Sequence, residues 1–233
     1  MKSIGVLFLI GWLTAGLNPP SGRTINGPAA MQEGVQAENV AFRWSFGALV
    51  GKEKKLVPIT RDTVLKTGDE IKMMVELKHE CFVYVIYHST KGEITLLFPE
   101  DLRQFTGDYK AEKNYYVPSG RRWFELDKNI GRETFYLLAS SERLLDLEAL
   151  LGSYKSADDS KKPPLADQIL AEIRTVKRKF RTFTTLAERP VTIGGNIRGV
   201  EKAEESKRPD VSTIATEITA NNFYSKTFTI DHQ

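Results

Sequence analysis

The chain has 233 residues, of which 41% are hydrophobic and 27% charged, an ordinary balance for one large or two small globular domains. Its 33 basic and 30 acidic residues leave a formal charge of +3. A charge this small excludes binding of nucleic acid or anionic lipid through the field of the whole protein. Cys81 is the only cysteine, so an internal disulfide is excluded, and its apolar neighbours favour a buried, inert thiol.

The N-terminus has the pattern of a secretory signal. Lys2 precedes an uncharged run from Ile4 to Leu17, which is short for a transmembrane helix but suits a signal core. We predict a signal peptide over residues 1–16, with cleavage between residues 16 and 29, and a periplasmic or secreted protein. The alternatives are an uncleaved anchor and a buried strand. Residues 17–39 lack an apolar period, which predicts a disordered leader.

The first predicted strands follow this leader. Phe42, Trp44, Phe46 and Ala48 alternate with Arg43, Ser45 and Gly47, a pattern typical of a half-buried strand. Leu56 to Ile59 is predicted as a short edge strand, because Pro58 has no N–H to donate to a neighbour.

The densest apolar stretch runs from Leu65 to Pro99. Ile71 to Leu77 alternates as one strand, and Ile94 to Phe98 forms another after a turn at Gly92. Between them, Cys81 to Tyr87 is apolar on both faces and therefore needs cover on both faces. We predict that the three strands form an antiparallel meander.

Further strands and two helices are predicted downstream. Tyr115 to Val117 and Trp123 to Leu126 flank a Pro-Ser-Gly turn, which predicts a hairpin, and Thr134 to Ala139 is another strand. A short helix is predicted to begin at a cap on Ser140 or Ser141 and to end at Gly152.

A polar linker, Ser153 to Lys162, precedes the clearest helical period in the chain, Leu165 to Phe180. We expect this amphipathic helix to cover the strand at Phe82 to Tyr87. Thr213 to Ile218 and Phe223 to Ile230 flank two asparagines, which predicts a closing hairpin.

These elements predict a mainly β fold with two helices over residues 40–231, with a subdivision near 152–163 as the alternative. The fold is an antiparallel β-sandwich or an open barrel-like sheet, with one amphipathic helix covering a sheet face.

Several short motifs resemble those of one bacterial family. They are Leu65-Lys66-Thr67-Gly68-Asp69, Tyr84-Val85, Gly92 with Leu96-Leu97-Phe98-Pro99, Tyr116-Val117-Pro118, and Gly131 with Leu137-Leu138-Ala139-Ser140. As a set they resemble the family catalogued as domain of unknown function 4384, over about Val40 to Leu151. The resemblance implies an exported bacterial β-rich domain, sometimes joined to signalling or protease-like domains. It implies no known activity and no catalytic residue.

Two surfaces are candidates for binding. The first surrounds the Pro-Ser-Gly turn, where aromatic and arginine side chains, the types enriched in binding hot spots, come together: Tyr115, Tyr116, Arg121, Arg122 and Trp123. The alternative is that Trp123 or Phe124 lies in the core and the arginines solvate the turn. The second is a basic helix face able to meet an acidic lipid or polymer: Arg174, Lys177, Arg178 and Arg181. Its alternative is a solvated face favourable to the helix dipole.

The sequence contains no catalytic signature. It has no Gly-x-Ser-x-Gly motif, and the glycines from Gly194 to Gly199 lack the Lys-Ser/Thr of a phosphate loop. No metal site and no cofactor are predicted. We therefore expect a non-catalytic binding or scaffold module of the cell envelope, whose partner is another envelope protein or polymer. The alternative is an envelope-polymer hydrolase with an unrecognised carboxylate pair, and a third hypothesis is membrane-surface contact through the basic helix.

Overall fold

The computed structural model describes residues 39–180, 186–190 and 208–233. The helices are α1 (Leu145–Ser156) and α2 (Lys162–Phe180). The strands are β1 (Val40–Val50), β2 (Lys55–Pro58), β3 (Asp62–Leu65), β4 (Glu70–Leu77), β5 (Phe82–His88), β6 (Ile94–Phe98), β7 (Asn114–Val117), β8 (Phe124–Glu125), β9 (Gly131–Ser140), β10 (Leu186–Pro190), β11 (Thr216–Ala220) and β12 (Phe223–His232). The predicted signal peptide (1–16) and nearly all of the predicted leader (17–39) lie outside the described residues.

Two sheets face each other as a β-sandwich, which confirms the predicted fold class. Sheet A has the order β10-β11-β1-β4-β7, with β2 also beside β1 and β8 also beside β4. Sheet B has the order β3-β12-β9-β5-β6. Described neighbours pair antiparallel, except that β12 and β3 run parallel.

Aromatic side chains from both sheets fill the space between them. The ring centre of Phe46 in β1 lies 5.0 Å from the ring centre of Phe135 in β9 and 5.5 Å from the ring centre of Phe228 in β12. The predicted inward set of β1 faces this core. The other face of β1 is buried too, contrary to the half-buried prediction, because a 3-10 turn at Val211–Ile214 packs on it. A side chain at Gly47 would meet Ile214 at 2.8 Å, so glycine permits this close approach.

The helices cover the outer face of sheet B. Tyr84 and Ile86 of β5 pack there against Leu147 of α1 and against Ile169 and Ile173 of α2. The prediction that the amphipathic helix covers β5 is confirmed. Burying both faces of β5 removes its apolar surface from water, which is the main stabilising contribution of this layer.

A polar network attaches α1 to sheet B. The Tyr84 hydroxyl donates to Glu148 Oε1 at 2.6 Å and accepts from the Leu144 N–H at 3.1 Å. Arg143 pairs with the same carboxylate. Burial, followed by the hydrogen bond to Glu148, raises the pKa of Tyr84, so the hydroxyl remains a donor at physiological pH.

The predicted central meander is wrong. β5 and β6 do form a hairpin, but β4 pairs with β1, β7 and β8 in sheet A. The link from Lys78 to Cys81 therefore crosses between the sheets. A two-residue apolar period shows which faces of a strand are buried, but it does not show which strand lies beside it.

The two other predicted hairpins are wrong for the same reason. β7 and β8 both pair with β4 rather than with each other. At the C-terminal end, β11 pairs with β1 and β10, whereas β12 pairs with β9 and β3. The turn at Asn221-Asn222 thus connects the two sheets.

The boundaries of α1 also differ from the prediction. Its N-cap is Leu144, which makes no side-chain capping hydrogen bond, and the helix continues through Gly152 to Ser156. Burial of Leu151 and Tyr154 against sheet B favours helix over the local preference of glycine. The predicted polar linker is therefore mostly helical.

Candidate functional site

The structure divides the predicted aromatic and arginine cluster between two faces of β7. Tyr115 is only 8% exposed and lies in the core between the sheets, with its ring 5.4 Å from that of Phe98. Its hydroxyl accepts from the Lys110 N–H at 2.6 Å and donates to the Asp108 carbonyl at 3.1 Å. Tyr115 therefore packs on the inner face of β7 and supports the wall of the sheet there.

Tyr116 and Trp123 lie on the outer face of sheet A, around Lys72. The Lys72 ammonium lies 5.3 Å from the ring centre of Tyr116 and 5.8 Å from that of Trp123. It donates to the carbonyls of Gly120 and Arg122, each at 2.6 Å. Burial, together with the nearby Arg208 and Arg122, lowers the pKa of Lys72, while Asp210 acts in the opposite direction.

Lys72 thus holds the loop from Pro118 to Trp123 against the sheet. Arg121 and Arg122 stand exposed on this loop, immediately after Gly120, whose φ of +71° favours glycine. Sequence reasoning missed Lys72 because a lysine within an alternating strand has the pattern of a solvent-facing residue.

A cleft of about 550 Å³ runs along β7 and this loop, and we call it the loop cleft. Its walls include all four residues of β7, with Arg122 and Trp123 from the loop and Leu97 from β6. The charged groups that line it balance: Glu100 and Asp108 against Lys113 and Arg122. Lys113 also pairs with Asp108.

A second cleft, of about 420 Å³, opens where the ends of β5, β9 and β12 face β8. Four carboxylates line it, against the single ammonium of Lys91, so the formal charge of the lining is −3 with His232 neutral. We call it the acidic cleft, and its carboxylates are Glu93, Glu125, Asp127 and Glu133. Sequence reasoning missed this group because its members come from separate strands and loops.

Glu133 is the buried acid of this cleft, with 5% of its surface exposed. It lies on the inward face of β9, two residues before the core residue Phe135, and it accepts a hydrogen bond from the Tyr87 hydroxyl. Burial and then the Glu133 hydrogen bond raise the pKa of Tyr87, which keeps this hydroxyl protonated.

His232 closes the rear of the acidic cleft at the end of β12. It is 3% exposed, and its Nε2 lies 3.1 Å from the Thr67 hydroxyl, which donates to the Asp127 carbonyl at 3.0 Å. Since that hydroxyl proton is committed to Asp127, the imidazole is the donor to Thr67. These bonds hold the Asp127 turn beside the cleft.

The two clefts adjoin, because Leu97 and Phe124 line both of them. We call the two adjoining clefts together the edge groove, because they follow one edge of each sheet. In sheet B this edge is β6, the last strand, and in sheet A it consists of β7 and β8, which lie on the same side of β4. Phe124 is 37% exposed, and few other large apolar side chains in the described segments are exposed to that extent. The groove therefore combines an apolar centre with a charge-balanced half and an acidic half.

The basic helix face is partly used within the fold. Arg174 and Arg178 are exposed near the C-terminal end of α2. Lys177 is half-buried, donates to the Thr227 hydroxyl at 3.1 Å, and has its pKa lowered by burial. Arg181 lies outside the described residues, so membrane contact through this face stays a prediction.

Two negative findings apply to residues 39–180, 186–190 and 208–233. No group of three or more His, Cys, Asp or Glu side chains there is arranged to hold a metal ion. No helix in those segments is sufficiently long and apolar to cross a membrane.

Comparison with known proteins gives one match. No curated protein and no solved structure matches the chain. The matched segment begins in β3, ends just before α1, and includes the four carboxylates of the acidic cleft together with Tyr116 and Trp123, but not His232. Residues 64–143 match the model of the family described as Domain of unknown function (DUF4384), which confirms the resemblance for that segment.

Proposed function

We propose that this chain is a non-catalytic binding module exported to the bacterial cell envelope, and that its ligand lies along the edge groove. The observation that carries the proposal is that the two clefts adjoin at Leu97 and Phe124, which line both. A groove with an apolar centre and polar ends is the form expected for an extended ligand, such as a polypeptide segment or a glycan strand. Export is supported by the uncharged run from Ile4 to Leu17.

The second support is that the groove is pre-organised. Lys72 fixes the loop that forms one wall, Tyr115 and Phe98 pack behind it, and the Thr67–His232 contact fixes the opposite end. A site whose walls are held before the ligand arrives loses less conformational entropy on binding than a flexible one.

The test is capture from envelope material with the full chain immobilised. The extract is separated into a protein fraction and a cell-wall polymer fraction, and each is applied to the wild type and to Phe124→Asp. Leu145→Asp is the matched control, since Leu145 is exposed on α1, outside both clefts. We expect a component that the wild type and the control retain and that Phe124→Asp loses. Equal retention by all three proteins, or retention by none, contradicts the proposal.

A second candidate function is hydrolysis of an envelope polymer. The specific observation in its favour is Glu133, a buried carboxylate in a cleft that contains three further carboxylates. Glycosidases need two such groups about 5–10 Å apart, one of them protonated as the acid. Isolated cell-wall polymer is incubated with the wild type, Glu133→Gln and Asp127→Asn. Release of soluble fragments by the wild type alone supports hydrolysis, and no release by the wild type removes this candidate.

A further inference from the structure

We propose that the ligand of the edge groove is an extended peptide whose lysine or arginine side chain lies in the acidic cleft. This inference rests on the proposed function and names the ligand class of the same site. Three features support it: an unpaired strand edge, the length of the groove, and a cleft in which four carboxylates face one ammonium.

The strand edge favours a peptide over a glycan. In the part of the chain that the structure describes, β7 pairs with β4 on one side, and no strand lies on its other side. All four residues of β7 line the loop cleft. A polypeptide placed in this cleft can add a strand to sheet A through its backbone N–H and C=O groups, which is a common mode of peptide recognition.

The geometry of β4 gives the length of this peptide. Asn114 of β7 lies opposite Glu76 of β4, and Glu125 of β8 lies opposite Glu70 of β4. The two strands therefore follow one another along the same side of β4. At about 3.3 Å per residue, this separation corresponds to roughly 20 Å. An extended peptide that begins beside Asn114 therefore passes Phe124 and reaches Glu125 within about six to eight residues.

The charge of the acidic cleft selects the side chain at that end. None of its four carboxylates lies within 4.0 Å of a cationic side chain of the described segments. Hydrogen bonds from Asn129, and more distant Lys91 and His232, lower the pKa of Asp127, so this carboxylate is ionised, and the cleft as a whole keeps an excess of negative charge. Only 5% of the surface of Glu133 is exposed, and its hydrogen-bond donor in the described segments is the neutral hydroxyl of Tyr87. A buried carboxylate attracts a cation more strongly than an exposed one because water screens it less.

Phe124 and Leu97 supply the neighbouring subsite. They lie between the two halves of the groove, so an apolar side chain of the peptide a few residues from the cation would contact them. The recognised segment therefore combines an apolar residue with a lysine or arginine in an extended strand.

The experiment uses the full chain and a displayed library of short random peptides. We expect enriched sequences to contain lysine or arginine near an apolar residue. One enriched peptide is then synthesised and titrated against the wild type, Glu133→Gln and Glu142→Gln, the last a control at an exposed glutamate outside both clefts. We expect at least about tenfold weaker binding to Glu133→Gln and unchanged binding to Glu142→Gln. Replacing the basic residue of the peptide by norleucine should weaken binding to the wild type. The same replacement should cause little further loss of affinity for Glu133→Gln.

The outcomes separate this inference from the proposed function. Enriched peptides without basic residues, or equal binding to the two glutamate variants, overturn the acidic-cleft assignment. A library without binders, combined with a polymer that the wild type captures and Phe124→Asp loses, overturns the peptide class and leaves the binding module intact. Where Glu133→Gln does not fold, the double variant Glu93→Gln/Asp127→Asn replaces it, because both of those carboxylates are exposed.

Discussion

Replacing Lys72 by methionine tests whether a buried ammonium holds the wall of the edge groove. Lys72 is 5% exposed, and methionine keeps most of its stem while removing the charge. The variant loses two charge-assisted hydrogen bonds to the carbonyls of Gly120 and Arg122. It also loses the contact between the ammonium and the rings of Tyr116 and Trp123.

The magnitude follows from opposing contributions. Each hydrogen bond from a charged donor contributes about 1.5–3 kcal/mol, and the aromatic faces add about 0.5–2 kcal/mol. Burying the ammonium offsets several kcal/mol of this gain. Gly120 and Arg122 are exposed residues, so water replaces the lost donor in part. We therefore expect Lys72→Met to lower the free energy of unfolding by about 1–3 kcal/mol.

Urea unfolding measures this change, with Lys52→Met, at an exposed position in the turn after β1, as the control. Limited trypsin digestion gives a local measurement, because Arg121 and Arg122 lie on the loop that Lys72 holds. We expect faster cleavage there in Lys72→Met than in the wild type. A free energy of unfolding within about 0.5 kcal/mol of the wild type, with unchanged cleavage, would refute the reasoning.

The same pair of proteins gives a pH dependence. Burial lowers the pKa of Lys72 in the folded chain below the ordinary value of 10.5, which applies to the unfolded chain. Between these two pKa values the unfolded chain binds more protons, so the free energy of unfolding of the wild type rises with pH relative to that of Lys72→Met. At pH values below the pKa of Lys72 in the folded chain, the difference in free energy of unfolding between the wild type and Lys72→Met is constant. If the free energy of unfolding of the wild type fell relative to that of Lys72→Met as the pH approached 10.5, the lowered pKa of Lys72 would be contradicted.

Three further predictions concern the fold. Tyr84→Phe removes the hydroxyl between Glu148 and Leu144, and we expect a loss of about 1–3 kcal/mol in urea unfolding. Ile173→Ala opens a cavity under α2 and should lower the free energy of unfolding by about 2–5 kcal/mol. Thr175→Ala, at an exposed position on the same helix, is the control and should lower it little. Equal losses of free energy in the two variants would show that α2 does not cover sheet B. The Cys81 thiol is 1% exposed and burial raises its pKa to about 11, so iodoacetamide at pH 8 should label it only in urea; labelling of the folded chain would contradict its burial.

Much of the local structure followed from the sequence. The period of α2 and the two-sided apolar pattern of β5 predicted both elements and the contact between them, because a strand apolar on both faces needs a covering layer. The short motifs at Leu65–Asp69 and Leu96–Pro99 carried the family resemblance that the match over residues 64–143 confirms. These features depend on neighbours in the chain, so the sequence alone determined them.

The partners of each strand and the contents of the groove were decided by tertiary structure. β4 and β5 are adjacent in sequence but lie in different sheets, since the same alternation is compatible with either arrangement. That crossing places β8 opposite the ends of β9 and β12, and it brings Glu125, Glu133 and His232 to one cleft. It also converts Lys72 from an apparent surface residue into the support of a loop. Groups so far apart in sequence leave no local pattern, because only the packing of two sheets brings them within reach of one ligand.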